Sequence, residues 1–341
     1  MNADSQKPTI ICLTPVRNEA WILERFLTSA SLWADHIVLA DQCSDDGSRE
    51  IALRFPKVTL IDNNSPQYDE GARQRLLLNE ARKIPGRRLL FALDADEALT
   101  ANWPQSDEWV DAWRAPEGTA IFMDWANIYP GFEQCWIPPY PIPYGFMDDG
   151  AEHDGERIHS TRLPQPQGCQ RIIWKATKLL HFQYINWERM KSKQRWYQAW
   201  ERLNFPSKRP ITIYRQYHHM DARDPREMHP VQKEWLEGYE RQGIDWKALQ
   251  EESKAPYYWW DEEIVTMLLE HGRRKFRKID LWDVDWEEKA RAMGREVAPG
   301  LLADPRSAFE KRVHRWLAAT QGRRNDRKVR LVQRALRLFG W

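Results

Sequence analysis

The chain has 341 residues with 51 Lys and Arg against 50 Asp and Glu, a net charge of +1 that gives no global drive toward nucleic acid, and none is expected as a partner. Its four cysteines, Cys12, Cys43, Cys135 and Cys169, are widely spaced without a C-x-x-C pair, which argues against a disulfide framework or a structural zinc site. The polar start MNADSQKPT lacks the basic and apolar regions of a signal peptide, and no apolar run approaches the ~18 residues of a membrane span, so a cytoplasmic protein is expected.

The first hundred residues alternate strands and helices. Lys7 to Thr14 is a continuous apolar run that predicts a buried strand. Asn18 to Trp33 repeats Ile22, Phe26, Ala30 and Trp33 at helical spacing. Three more strands are predicted at 36–41, 57–62 and 88–94, with helices at 44–55 and 69–83 between them. This order implies a mostly parallel α/β sheet with right-handed crossovers, in which ligands bind beyond the carboxyl ends of the strands.

Those ends are acidic or polar: Thr14–Glu19, Asp41–Gly47 and Asp94–Glu97. In extended backbone residues i and i+2 share a side, so Asp94 and Asp96 are expected to present two carboxylates to one point, as Mg²⁺ or Mn²⁺ requires. The alternative is a solvated turn whose aspartates cap the next helix.

TPVRNEAWILERFL, VLADQCSDDGS, a G-A-R segment and LDADE, in that order, resemble the opening of the family-2 glycosyltransferases, with their P-x-x-N-E-E, V-D-x-G-S-x-D and D-x-D phrases. The resemblance is close over residues 8–100 and loose over 119–200. It implies a GT-A fold over residues 1–185, with a helical accessory region at 186–300 and a basic amphipathic tail at 301–341. It also implies transfer of a sugar from a nucleotide diphosphate donor, of UDP-sugar type, to a glycan or lipid-linked acceptor of a cell-surface polysaccharide. By the same resemblance Pro15, Arg17 and Glu19 border the nucleoside, with Glu19 near the ribose. Asp41 and Gln42 hold the base, an amide offering both donor and acceptor. Arg73 on the third helix reaches the donor, and Asp94, Ala95 and Asp96 complete its site, Asp96 being the more direct metal ligand.

Two strands are predicted at 119–129 and 171–181, with an irregular Pro- and Gly-rich stretch between them as the acceptor wall. Trp136, Tyr140 and Tyr144 are its candidate stacking residues. GERIHSTRLP and KLLHFQYINWERMKSKQRWY resemble one branch of the family, which makes His181 the third metal ligand. An inverting transfer needs a general base; Asp154, Glu156 and His159 are the candidates. His218, His219 and His229 lack a ligand spacing and are expected to be packing or surface residues.

Residues 306–341 carry eleven basic side chains against Glu310 and Asp326, a local excess that suggests an anionic partner such as the inner face of a membrane. Val329, Val332, Leu336 and Phe339 are expected on one side of that helix. A sugar nucleotidyltransferase would share the sheet and the acidic site but should open with a glycine-rich phosphate loop, and Thr14-Pro15-Val16-Arg17 has no glycine. A non-catalytic binding protein on the same fold is the remaining reading, which the intact D-x-D opposes.

Overall fold

The computed structural model describes residues 7–65 and 67–341; the reading of residues 1–6 lies outside these. They form two units, the first running to Ile185 and also containing His229–Ser253, the second containing Asn186–Met228 and Lys254–Trp341.

In the first unit the expected alternation is present. β1 (Thr9–Val16), α1 (Ala20–Ala30), β2 (His36–Asp41), α2 (Ser48–Leu53), β3 (Val58–Asp62), α3 (Glu70–Ala81) and β4 (Arg88–Ala92) follow one another. Strands β3, β2, β1 and β4 lie side by side in parallel. Each is apolar because helices cover the sheet: Ile22, Leu23, Phe26 and Leu27 of α1 are buried, as are Leu77, Leu78 and Ala81 of α3.

Beyond β4 come β5 (Glu97–Leu99), α4 (Glu108–Arg114), β6 (Ala120–Ile128), β7 (Gln134–Trp136), β8 (Ile142–Met147) and β9 (Arg171–His181). β8 is antiparallel to both β4 and β6, while β9 runs parallel to β6 and antiparallel to β5. This corrects the expectation of an irregular stretch throughout 137–170, since β8 is an interior strand. Its Pro143 sits beside a register shift in β6 between Ile121 and Phe122, where a missing N–H is tolerated. A side chain on Gly145 would meet Phe91 Cε1 at 2.9 Å, so only glycine lets the strand close against β4.

The returning segment carries α7 and α8, numbered after the two helices α5 (Trp187–Asn204) and α6 (Pro210–Tyr217) that precede it. Within it α7 is Glu237–Glu240 and α8 is Leu249–Glu252. The Tyr239 hydroxyl donates to Leu99 O at 2.7 Å, Ala101 N donates to Trp235 O at 2.8 Å, and Trp246 stacks on Phe182 with ring centroids 4.4 Å apart.

The second unit is helical, as expected of the region after residue 186. It packs α5 and α6 with α9 (Trp259–His271), α10 (Trp286–Ala292), α11 (Ala308–Ala319) and α12 (Arg327–Arg337). Buried Asp261 accepts Ser192 Oγ at 2.7 Å and pairs with Lys289 at 3.3 Å, and Arg195 makes a two-pronged pair with Asp283 at 2.7 and 2.8 Å. Among the described residues no helix is long and apolar enough to cross a membrane.

Candidate functional site

β1 and β2 end level, with Val16 opposite Asp41, so the loops after them meet. Asn18 N donates to Ser44 Oγ at 2.9 Å, Ala20 N to Asp46 Oδ2 at 2.8 Å and Glu19 N to Ser48 Oγ at 2.9 Å. Asp46 therefore satisfies the start of α1. Asn18 and Cys43, each with φ +54°, hold left-handed backbone where these loops turn. Pro15, Arg17 and Glu19 are half-buried along this seam, and the Glu19 carboxylate accepts the Trp21 indole N–H at 2.5 Å.

Asp41 is buried at the end of β2. Its Oδ2 accepts Arg49 at 3.2 Å and Ser44 N at 3.3 Å, while Oδ1 is buried with no hydrogen-bond partner among the described residues. A native protein seldom leaves such an acceptor orphaned, and a base imide N–H would satisfy it. Gln42 differs from expectation. Its Nε2 donates to Ser65 O at 2.9 Å and Gln67 O at 3.0 Å, so the amide has both donors committed to the following loop and offers only its oxygen.

The D-x-D segment is a turn rather than extended backbone. β4 stops at Ala92, Glu97 N bonds back to Asp94 O at 3.0 Å, and β5 begins at Glu97. The two aspartates consequently have separate partners, which corrects the picture of paired carboxylates on one side. Asp94 is held by Arg162 Nη2 at 2.8 Å. Ala95 is buried between them, and Asp96, also buried, faces His181 Nε2 at 3.6 Å. Glu97 lies fully buried behind the turn, accepting Asp94 N at 2.8 Å and the Trp125 indole N–H at 2.9 Å, and pairing with Arg162. Burial pushes the Glu97 carboxyl up and Arg162 opposes this; burial also works against the Arg162 cation, which Asp94 and Glu97 hold charged.

His181 ends β9 opposite both Glu97 and Asn127. Asn127 Nδ2 donates to Trp125 O at 3.2 Å and Trp136 O at 3.3 Å, so its oxygen is the atom turned toward His181 Nδ1, at 2.7 Å. That acceptor requires a proton on Nδ1 and leaves the lone pair of a neutral imidazole on Nε2, aimed at Asp96. Trp125 stacks on the ring at 4.5 Å and fixes its plane. A carboxylate oxygen and an imidazole nitrogen so placed fit one Mn²⁺ or Mg²⁺, with a second-layer hydrogen bond of the kind that orients metal-binding histidines. Among the described residues no group of three or more His, Cys, Asp and Glu is arranged to hold a metal ion. The chain's own donors are thus Asp96 and His181, and phosphate and water oxygens would have to complete the shell.

Arg73 stands in the first turn of α3, its guanidinium 5.1 Å over the Tyr68 ring. The backbone of Glu156 and Arg157 caps this helix, accepting Gly71 N and Glu70 N at 3.0 Å each. The two chains cross so closely that a side chain on Gly71 would meet Gly155 O at 2.2 Å. Asp154, Glu156 and His159, the candidate bases, are exposed on this crossing loop, and His159 has a left-handed φ of +58°. Five residues on from Arg157 the loop supplies Arg162, which spans Tyr144 at 5.0 Å and also donates to Ala92 O at 3.3 Å. Tyr144 is therefore buried beneath Arg162 and unable to line an acceptor wall, whereas Tyr140 is exposed and Trp136 half-buried. Arg162, Glu97 and Asn127 receive no role from the sequence; Glu97 and Arg162 stand inside the quoted LDADE and GERIHSTRLP phrases, the only signal available.

No family model matches the sequence, and no curated protein matches it. Among solved structures, a 4-diphosphocytidyl-2C-methyl-D-erythritol synthase overlaps with a TM-score of 0.22 at 18% identity, covering 27% of this chain and 48% of that one. The synthase of that name from Anaerococcus prevotii gives 0.28 at 15% identity, covering 43% and 73%. A mannose-1-phosphate geranyltransferase from Thermus thermophilus gives 0.28 at 16%, covering 43% and 51%. The chain thus spans about half the length of the first and the last of these. Overlaps of this size establish no family.

Proposed function

We propose that the chain is a metal-dependent glycosyltransferase that moves a sugar from a nucleoside diphosphate donor, of the UDP-sugar class, to a glycan or lipid-linked acceptor with inversion. The observation that carries the reading is the buried Asp96 carboxylate facing the lone-pair nitrogen of His181 at 3.6 Å, beyond the carboxyl ends of the parallel strands. A divalent cation bound there would stabilise the charge that develops on the departing diphosphate. The chain's own residues bind and orient. Asp41 Oδ1 accepts a base N–H, Arg162 keeps Asp94 in one rotamer beside the donor, and Arg73 adds positive charge from α3. The acceptor hydroxyl proton is assigned to the loop of Asp154, Glu156 and His159, whose exposed side chains stand outside the core.

A sugar nucleotidyltransferase would need a glycine-rich phosphate cradle after β1. Here β1 continues through Val16, and the first glycine of the chain is Gly47.

Thermal stabilisation by a panel of nucleotide sugars, with and without Mn²⁺, identifies the donor. Donor turnover by Asp96→Asn is expected to fall on the order of a hundredfold to a thousandfold. Full turnover in excess chelator would overturn the reading, and release of pyrophosphate from a nucleoside triphosphate and a sugar phosphate would replace it with the nucleotidyltransferase.

A further inference from the structure

α12 divides into three faces. Val329 and Leu336 are buried, Leu336 joining Trp341 in a cluster with Ile211, Tyr214, Val313 and Leu317. This splits the apolar side expected from the sequence, because Val332 and Phe339 stay outside. With Leu331 and Leu338 they form a separate exposed stripe, at helical spacing and in the turn that follows the helix. The exposures are 58% for Leu331, 43% for Val332, 86% for Leu338 and 64% for Phe339. Phe309, 49% exposed at the start of α11, extends the stripe with its ring 6.0 Å from that of Phe339.

The third face is cationic. α12 carries Arg327, Lys328, Arg330, Arg334 and Arg337 and no acidic residue. None of these five takes part in an ion pair among the described residues. Lys311, Arg312 and Arg315 are exposed on the neighbouring helix. A contiguous apolar stripe on a water-facing surface calls for an occupant.

We infer that this face of the second unit docks on an anionic lipid surface, the stripe of Leu331, Val332, Leu338, Phe339 and Phe309 entering the acyl boundary while the α12 arginines meet headgroups. Charge decides the occupant. A second copy of the chain would bring the same cationic helix against itself, because a two-fold contact pairs identical surfaces. Nucleic acid would use the arginines but has no place for four large exposed apolar side chains. An anionic bilayer uses both, and its pull on arginine is screened by salt over about 8–10 Å.

The experiment is co-sedimentation of the full chain with vesicles of phosphatidylcholine alone or containing about a third phosphatidylglycerol. Binding is expected to the anionic vesicles only and to fall as salt is raised. Leu338→Ser with Phe339→Ser should weaken it on the order of tenfold. Arg330→Gln, Arg334→Gln and Arg337→Gln together should weaken it on the order of a hundredfold and flatten the salt dependence. All five side chains are exposed, so thermal midpoints should stay with the parent, which separates lost docking from lost folding. Equal binding to neutral vesicles, or wild-type binding by both variants, would overturn the inference. So would a dimer in sedimentation velocity that the Leu338 and Phe339 changes dissolve. Nucleotide-sugar binding by the same variants should be unchanged, so failure of the transferase reading and failure of lipid docking are told apart.

Discussion

Asn127 determines what His181 can do. Because its amide nitrogen is committed to two backbone carbonyls, its oxygen must face Nδ1, and the histidine is left with one free lone pair toward Asp96. Replacing Asn127 with Leu keeps the volume and removes the acceptor. Metal-dependent donor affinity is expected to weaken about 10- to 100-fold by titration at fixed Mn²⁺. The thermal midpoint should fall only by the few degrees that one unsatisfied N–H costs. A change in midpoint with unaltered donor affinity would show that the hydrogen bond serves packing alone. At this scale the sequence is informative about chemistry and silent about direction. Asp94 and Asp96 stand out because carboxylates follow an apolar strand. Where each carboxylate points depends on β4 ending at Ala92 rather than running to Asp94, and on Arg162, which is 68 residues distant from Asp94 in the chain.

The β4–β5 turn is an element built around a buried charge. Glu97 is enclosed, and Arg162 is its cationic partner. Removing one member of such a pair strands the other, typically at a cost of about 3–5 kcal/mol. Arg162→Met should therefore lower the melting temperature of the first unit on the order of 10 °C and release Asp94. Calorimetry of the variant checks this, and an unchanged midpoint would mean that solvent replaces the arginine freely. The helices and parallel strands of this unit are legible because periods of 3.6 and unbroken apolar runs survive in the sequence. β8 is not, since a proline and a glycine inside Ile142–Met147 read as loop until the bulge opposite Pro143 and the ring of Phe91 against Gly145 supply their reasons.

Across the whole molecule the two units respond to pH differently, because only the second holds a histidine locked between carboxylates. His218 lies 2.6 Å from Asp221 and 3.2 Å from Asp280, and Asp280 also faces Arg306 and His314 at 3.5 and 3.7 Å. Burial alone would lower the His218 pKa, but its hydrogen bonds to Asp221 and Asp280 outweigh this and raise it to about 9. The fold thus prefers the protonated ring. The resulting stability, about 3 kcal/mol, is complete below pH ~6.5 and disappears as the pH rises through about 9. Denaturant unfolding of the second unit should show that loss between pH 7 and 10, and His218→Gln should flatten it. A parent profile as flat as the variant's would show that the ring is neutral in the fold. The sequence sorts this histidine with packing residues and does not reveal the pairing, since Asp280 lies far along the chain from it.

The segment His229–Ser253 has a consequence for how the protein is made. During synthesis the chain emerges in order, yet the first unit's core includes Trp235, Tyr239, Trp246 and Leu249, which follow α5 and α6 of the second unit. Until those residues leave the ribosome, Leu99 O lacks the Tyr239 hydroxyl and Phe182 lacks its stacked indole. The nascent sheet must wait with an open flank while the opening helices of its successor are already outside, a window in which a chaperone has something apolar to hold.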